Sequence, residues 1–114
     1  LALAILAAGP SQQRVESQAF MRQKLMLSQG VLEGLTLEKF DLVSKNAVRL
    51  HDMSQSNLWF TIKHPDYLVN TTNYQKSIDA LYLAAVDKNL PAATEAFTKV
   101  TRSCVECHRL VRLE

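Results

Sequence analysis

Two thiols and an imidazole fall within five residues, Cys104-Val105-Glu106-Cys107-His108, and that spacing has a specific chemistry. C-x-x-C-H is the attachment signature of c-type haem. The thiols add across two vinyl groups of the macrocycle, and the adjacent imidazole takes one axial position on the iron. Two other chemistries compete for a cysteine pair. A redox C-x-x-C calls for a thioredoxin-like βαβ context, and no stretch of this chain reads as a partnered strand. A structural zinc site needs four ligands, usually with a second Cys/His pair; His51 and His64 are not spaced as one. The chain has 2 cysteines, both in the pentapeptide, so no thiol remains for a disulfide or a thiolate ligand. Haem attachment alone accounts for both cysteines and the histidine together. It predicts one haem c held through two thioethers, with His108 as the fifth iron ligand.

The elements that must position this group are helices. A chain of 114 residues suits one domain. Apolar residues are 47% and charged residues 21%, with only 3 Gly and 3 Pro, so little interrupts helix. The net charge of +2 and the lack of a basic run argue against nucleic acid as a partner. No Gly-rich phosphate loop is present.

A first helix is predicted from Ser11 to about Gly34, with a broad apolar face including Val15, Phe20, Met26, Leu27, Val31 and Leu35. Thr36 is the expected cap of a second helix to about Ser54, with a stripe through Leu37, Phe40, Val43, Ala47, Leu50 and Met53. From Gln55 to Val69 the periodicity fails, and Lys63-His64-Pro65-Asp66 is a turn signal. A long crossover loop is expected there, with Trp59 against the core. A third helix is expected from Asn70 or Thr71, bearing Tyr74, Ile78, Leu81 and Ala85, and Asn89 ends it or caps the fourth, with Pro91 at an early helical position. On the last helix Ala93, Phe97, Val100, Cys104, Cys107, His108 and Val111 form one stripe. The attachment residues therefore continue a core face, which puts the haem inside the bundle. The predicted fold is all-α, a four-helix bundle over residues 11–114.

These features resemble the cytochrome c′ (class II cytochrome c) family: four antiparallel helices, a long connection after the second, and C-x-x-C-H near the end of the fourth. Arg22-Gln23-Lys24-Leu25-Met26 looks like that family's R-Q-x-x-[LM] stretch. The resemblance implies that Arg22 meets a haem propionate and that Met26 leans over the distal face. Cys107-His108-Arg109-Leu110-Val111-Arg112 is similar to the family's C-H-x-x-x-R ending, which implies that Arg112 flanks the axial histidine. Each arginine also has a plainer role, Arg22 as a solvated helix residue and Arg112 as a favourable charge at a helix C-terminus. Val31-Leu-Glu-Gly-Leu35, Phe40-Asp-Leu-Val-Ser-Lys-Asn46 and Asp87-Lys-Asn-Leu90 also look like a set of small planctomycete-type cytochromes c.

The sixth iron position is open. Only Arg109–Glu114 follow the pentapeptide, so the opposite wall is expected from upstream. Met26, Met21, Met53, His51 and His64 are the candidates, or no residue at all. A vacant face roofed by Leu25, Met26, Tyr74 or Ile78, with Phe97 beside the macrocycle, would favour NO and CO over oxygen. A bonded Met would raise the potential and leave an electron carrier. Two functions follow: a c′-like protein binding NO or CO and passing electrons, or a six-coordinate electron-transfer cytochrome docking on a redox partner. A haem-free helical interaction domain would require an accidental pentapeptide. No nucleophile–base pair supports turnover of an organic substrate. Residues 1–10, Leu1-Ala-Leu-Ala-Ile-Leu-Ala-Ala-Gly-Pro10, are too short to span a bilayer. They read as an N-terminal arm or the tail of a secretory signal, which suits export to the periplasm. The wide apolar face of the first helix predicts a homodimer or heterodimer.

Overall fold

Apolar residues spaced by three and four, with few breakers between them, produce helix throughout. A computed structural model describes residues 10–60 and 64–113. They form α1 (Pro10–Thr36), α2 (Phe40–Met53), α3 (Pro65–Val86) and α4 (Leu90–Leu113), with no strand among the described residues. Except for Pro10, the expected N-terminal arm lies outside the described residues. Part of the expected crossover, 61–63, does too.

Two boundaries differ from expectation. Thr36 does not cap α2; it closes α1, its Oγ1 donating to the Glu33 carbonyl at 2.9 Å. And α3 begins at Pro65, well before Asn70. His64 is extended (φ −111°, ψ 135°) and its Nδ1 accepts from Asp66 N–H at 3.1 Å. Pro65 then occupies a position where a missing N–H costs nothing. The His-Pro-Asp signal therefore starts a helix.

Both short connections use one device. At the end of α1, Glu38 N–H donates to Leu35 O (3.3 Å) and Lys39 N–H to Gly34 O (2.8 Å). At the end of α3, Lys88 N–H donates to Ala85 O (3.0 Å) and Asn89 N–H to Ala84 O (2.9 Å). These are Schellman closures, with Glu38 (φ 52°) and Lys88 (φ 54°) in the left-handed region. Three-residue connections of this kind turn each helix back along its predecessor. Asn89 then caps α4, Oδ1 accepting from Ala92 N–H at 3.1 Å. The core repeats with the turns: Val31, Leu35 and Leu50 in α1–α2 correspond to Leu81, Ala85 and Val100 in α3–α4, all buried.

Packing is uneven. α2 lies along both α1 and α3, and α3 along α4, whereas α1 and α4 scarcely meet. The expected broad apolar face of α1 is only partly used. Leu27, Val31 and Leu35 are buried, but Val15, Leu25, Met26 and Leu32 are exposed. Trp59 is 1% exposed, as its expected place against the core requires. It donates from Nε1 to Thr71 Oγ1 at 2.9 Å, and its carbonyl accepts from the Tyr67 hydroxyl.

Candidate functional site

An α-helix turns about 100° per residue, so Cys104, Cys107 and His108 share an arc of roughly 100° on α4. Cys107, at one edge of that arc, is buried, 6% exposed. The other edge, with half-buried Cys104 and exposed His108, faces the place where α1 and α4 fail to close. There lies a groove of about 520 Å³, almost wholly apolar. Its α4 wall is Phe97, Val100, Thr101, Cys104 and His108; its α1 wall runs from Met21 through Arg22, Lys24 and Leu25 to Leu32.

Burial sets the electrostatics. The Cys107 thiol is pushed up, first by burial, with Lys24 opposing. His108 is pushed down, first by burial and then by the charges of Lys24 and Arg112. A depressed imidazole is neutral at physiological pH, the form whose lone pair binds metal. Behind the groove Tyr74 is raised, chiefly by burial, and its hydroxyl finds no hydrogen-bond partner.

The expected site residues divide clearly. Cys104, His108, Arg22, Leu25 and Phe97 line one groove, whereas Cys107 is buried and outside its lining. Met26 does not line it. At 70% exposed it is turned away, one 100° step beyond Leu25. Tyr74 and Ile78, expected in the roof, are 1% exposed core residues outside the lining. Arg112 is exposed near His108 and acts on it through charge.

The remaining ligand candidates scatter. Met21 lines the groove, while Met53 packs against the core elsewhere. His51 Nδ1 sits 3.3 Å from Asp79 Oδ1, between α2 and α3. His64 caps α3. Among the described residues no three His, Cys, Asp or Glu side chains converge as a metal-binding group.

One groove residue escaped sequence inspection. Lys24 is 6% exposed, its Nζ 3.9 Å from the Trp59 ring centre and 4.6 Å from that of Tyr74. Burial depresses its pKa, against the pull of Cys104 and Cys107. The signal was present in the register: Phe20, Lys24, Leu27, Val31 and Leu35 step by four, three, four and four. A lysine stands in a core position.

The residues fit an attached haem. One thiol and the imidazole line an apolar groove between helices that scarcely meet, and the second thiol lies one turn away on the same helix. Buried Lys24, also in the lining, has no carboxylate partner among the described residues. No known protein family, curated protein or solved structure matches the chain.

Proposed function

We propose that this chain is an exported monohaem c-type cytochrome, similar to the cytochromes c′, that binds NO or CO on the α1 side of the iron and passes single electrons. What carries the proposal is that Cys104 and His108 line one wall of an apolar groove whose other wall is α1. When bound, haem would supply a one-electron iron couple and a place for a small gaseous ligand. Cys104 and Cys107 would hold the macrocycle by thioethers, and His108 would offer its imidazole to the metal. Arg22, exposed at the groove, suits a propionate that points to water. Arg112 places positive charge beside His108 and disfavours the oxidised state.

In this proposal the helices form an antiparallel bundle with the connection between α2 and α3 as its crossover, and the α1–α4 gap would hold haem. Met21, Leu25 and Leu32 make the opposing wall mainly apolar. Such a wall favours NO and CO, which depend less than oxygen on hydrogen-bond donors. Haem attachment is a periplasmic process, consistent with the apolar run at Leu1–Ala8. A redox partner, or a second copy in a dimer, would meet the exposed apolar residues of α1, Leu25, Met26 and Leu32.

The test is expression with a c-haem attachment system, followed by intact mass and the reduced spectrum with and without CO. A mass increase of one haem and a CO-shifted spectrum are expected. A chain without covalent haem overturns the proposal. Low-spin bands indifferent to CO would leave only the electron carrier.

A further inference from the structure

A buried ammonium without an anion is costly, and such groups are normally paired or bound to a metal. Among the described residues Lys24 has neither. It is 6% exposed, no ion pair involves it among the described residues, and only the faces of Trp59 and Tyr74 receive its charge. A cation over two rings recovers only part of its lost hydration. The same residue lines the groove across from Cys104 and His108.

We propose that Lys24 supplies the sixth iron ligand, its Nζ bonding the iron opposite His108, and that NO or CO enters by displacing this amine. The inference rests on the haem proposal for the pentapeptide. Three observations select Lys24 among the groups that could bond iron. Met26 is 70% exposed and outside the groove. His51, His64 and Met53 are held elsewhere, by Asp79, by the start of α3 and by the core. The groove's other donor, Met21, is a thioether that packs without cost in apolar surroundings; it needs no metal. Lys24 does. Its side chain is buried without an anion among the described residues, and the lone pair of the neutral amine is what iron requires. Pairing with a propionate is the competing role for a cation here. Arg22, exposed at the groove, suits a propionate that points to water, whereas Lys24 is buried with its amine against the rings of Trp59 and Tyr74.

The test uses the holoprotein and four variants. Wild type should be ferric low-spin, without the charge-transfer band of methionine–iron ligation. Lys24→Ala should become high-spin, and added methylamine should restore the low-spin spectrum, which a purely structural role would not produce. Reduced Lys24→Ala should bind CO on the order of tenfold faster, since the competent state is no longer a minor fraction. Lys24→Arg keeps the charge but has no lone pair to offer, so it too should lose the low-spin spectrum. Lys24→Met should remain low-spin at a higher potential, and Met21→Ala should match wild type. High-spin wild type, a low-spin Lys24→Ala, or a Lys24→Arg identical to wild type overturns the inference. If Lys24→Ala does not fold, the Arg variant and the near-infrared spectrum of wild type decide. Intact mass separates the two proposals: without covalent haem both fall, and with haem attached but Lys24→Ala unchanged, only this one does.

Discussion

At the scale of single residues, Trp59 joins the site to the fold. Its ring receives Lys24 on one face, meets Phe20 edge-on and lies 4.8 Å from Tyr74. Its indole N–H and carbonyl tie Thr71 and Tyr67 to the segment before α3. Trp59→Ala is expected to cost about 3–5 kcal/mol, read from urea unfolding; a loss below 1 kcal/mol would mean that the contacts are dispensable. Tyr67 gives a pH signature. Burial first, then Cys107, raises it from 10.0 to about 12. Between those values the unfolded chain has lost the phenolic proton and the folded chain still holds it. Stability is therefore full below pH 10 and declines as pH rises towards 12, by on the order of 2 kcal/mol. Tyr74 is raised in the same direction. Tyr67→Phe should flatten this alkaline decline, and an unchanged slope would assign it to other groups. The pentapeptide was legible because its chemistry is written in adjacent residues. Met26 and Lys24 were not. One 100° step separates the groove-lining Leu25 from the outward Met26, and a motif fixes residue types more firmly than the rotation of a helix about its axis.

At the scale of elements, the stripes of α2, α3 and α4 read correctly from Val43 to Leu50, from Tyr74 to Ala85 and from Ala93 to Val100, because three- and four-residue spacing is what buries one helical face. But Leu37, before α2, and His108 and Val111, near the end of α4, are exposed. Helix ends read less well. Thr36 and His64-Pro65-Asp66 each admit a start or a stop, and only the flanking hydrogen bonds decide. The two Schellman turns were invisible because their left-handed positions carry Glu38 and Lys88 where glycine is usual. That departure makes a prediction. A residue with Cβ is strained there by roughly 1–2 kcal/mol, partly offset by the chain entropy that glycine loses. Glu38→Gly and Lys88→Gly should each stabilise by about 0.5–1 kcal/mol and should add in the double variant, being in separate hairpins. Gly34 is the opposite case. A Cβ there would stand 2.6 Å from Val43 Cγ2 and 3.1 Å from Lys39 O, so Gly34→Ala should destabilise by about 1–3 kcal/mol. At the corresponding places of the second hairpin stand Ala84 and Ala93, where the first has Gly34 and Val43, so the methyl there meets a smaller partner.

At the scale of the whole molecule, the haem would be structural as well as chemical. α1 has 27 residues and α2 has 14, roughly 40 and 21 Å at the α-helical rise. α2 can therefore cover only part of α1. From Ser11 to Glu16 every residue is exposed, and Phe20 and Lys24 join α1 to Trp59. The remaining neighbour of this half is α4, across the groove. A group bound to Cys104, Cys107 and His108 would fill that gap and give the first half of α1 an apolar surface to rest on. Binding to the folded state stabilises what it touches, and the gain should be local because α3–α4 and α2 pack without it. Amide hydrogen exchange on the holoprotein and on Cys104→Ser/Cys107→Ser tests this. Without attached haem, amides of α1 from Ser11 to about Gly30 should exchange at least tenfold faster, while those of α3 around Ile78 and Leu81 keep their protection. Equal loss everywhere would make the haem a requirement for folding of the whole chain. Equal protection in both proteins would mean that α1 is held by its own contacts, and that the groove has no structural need of what it holds.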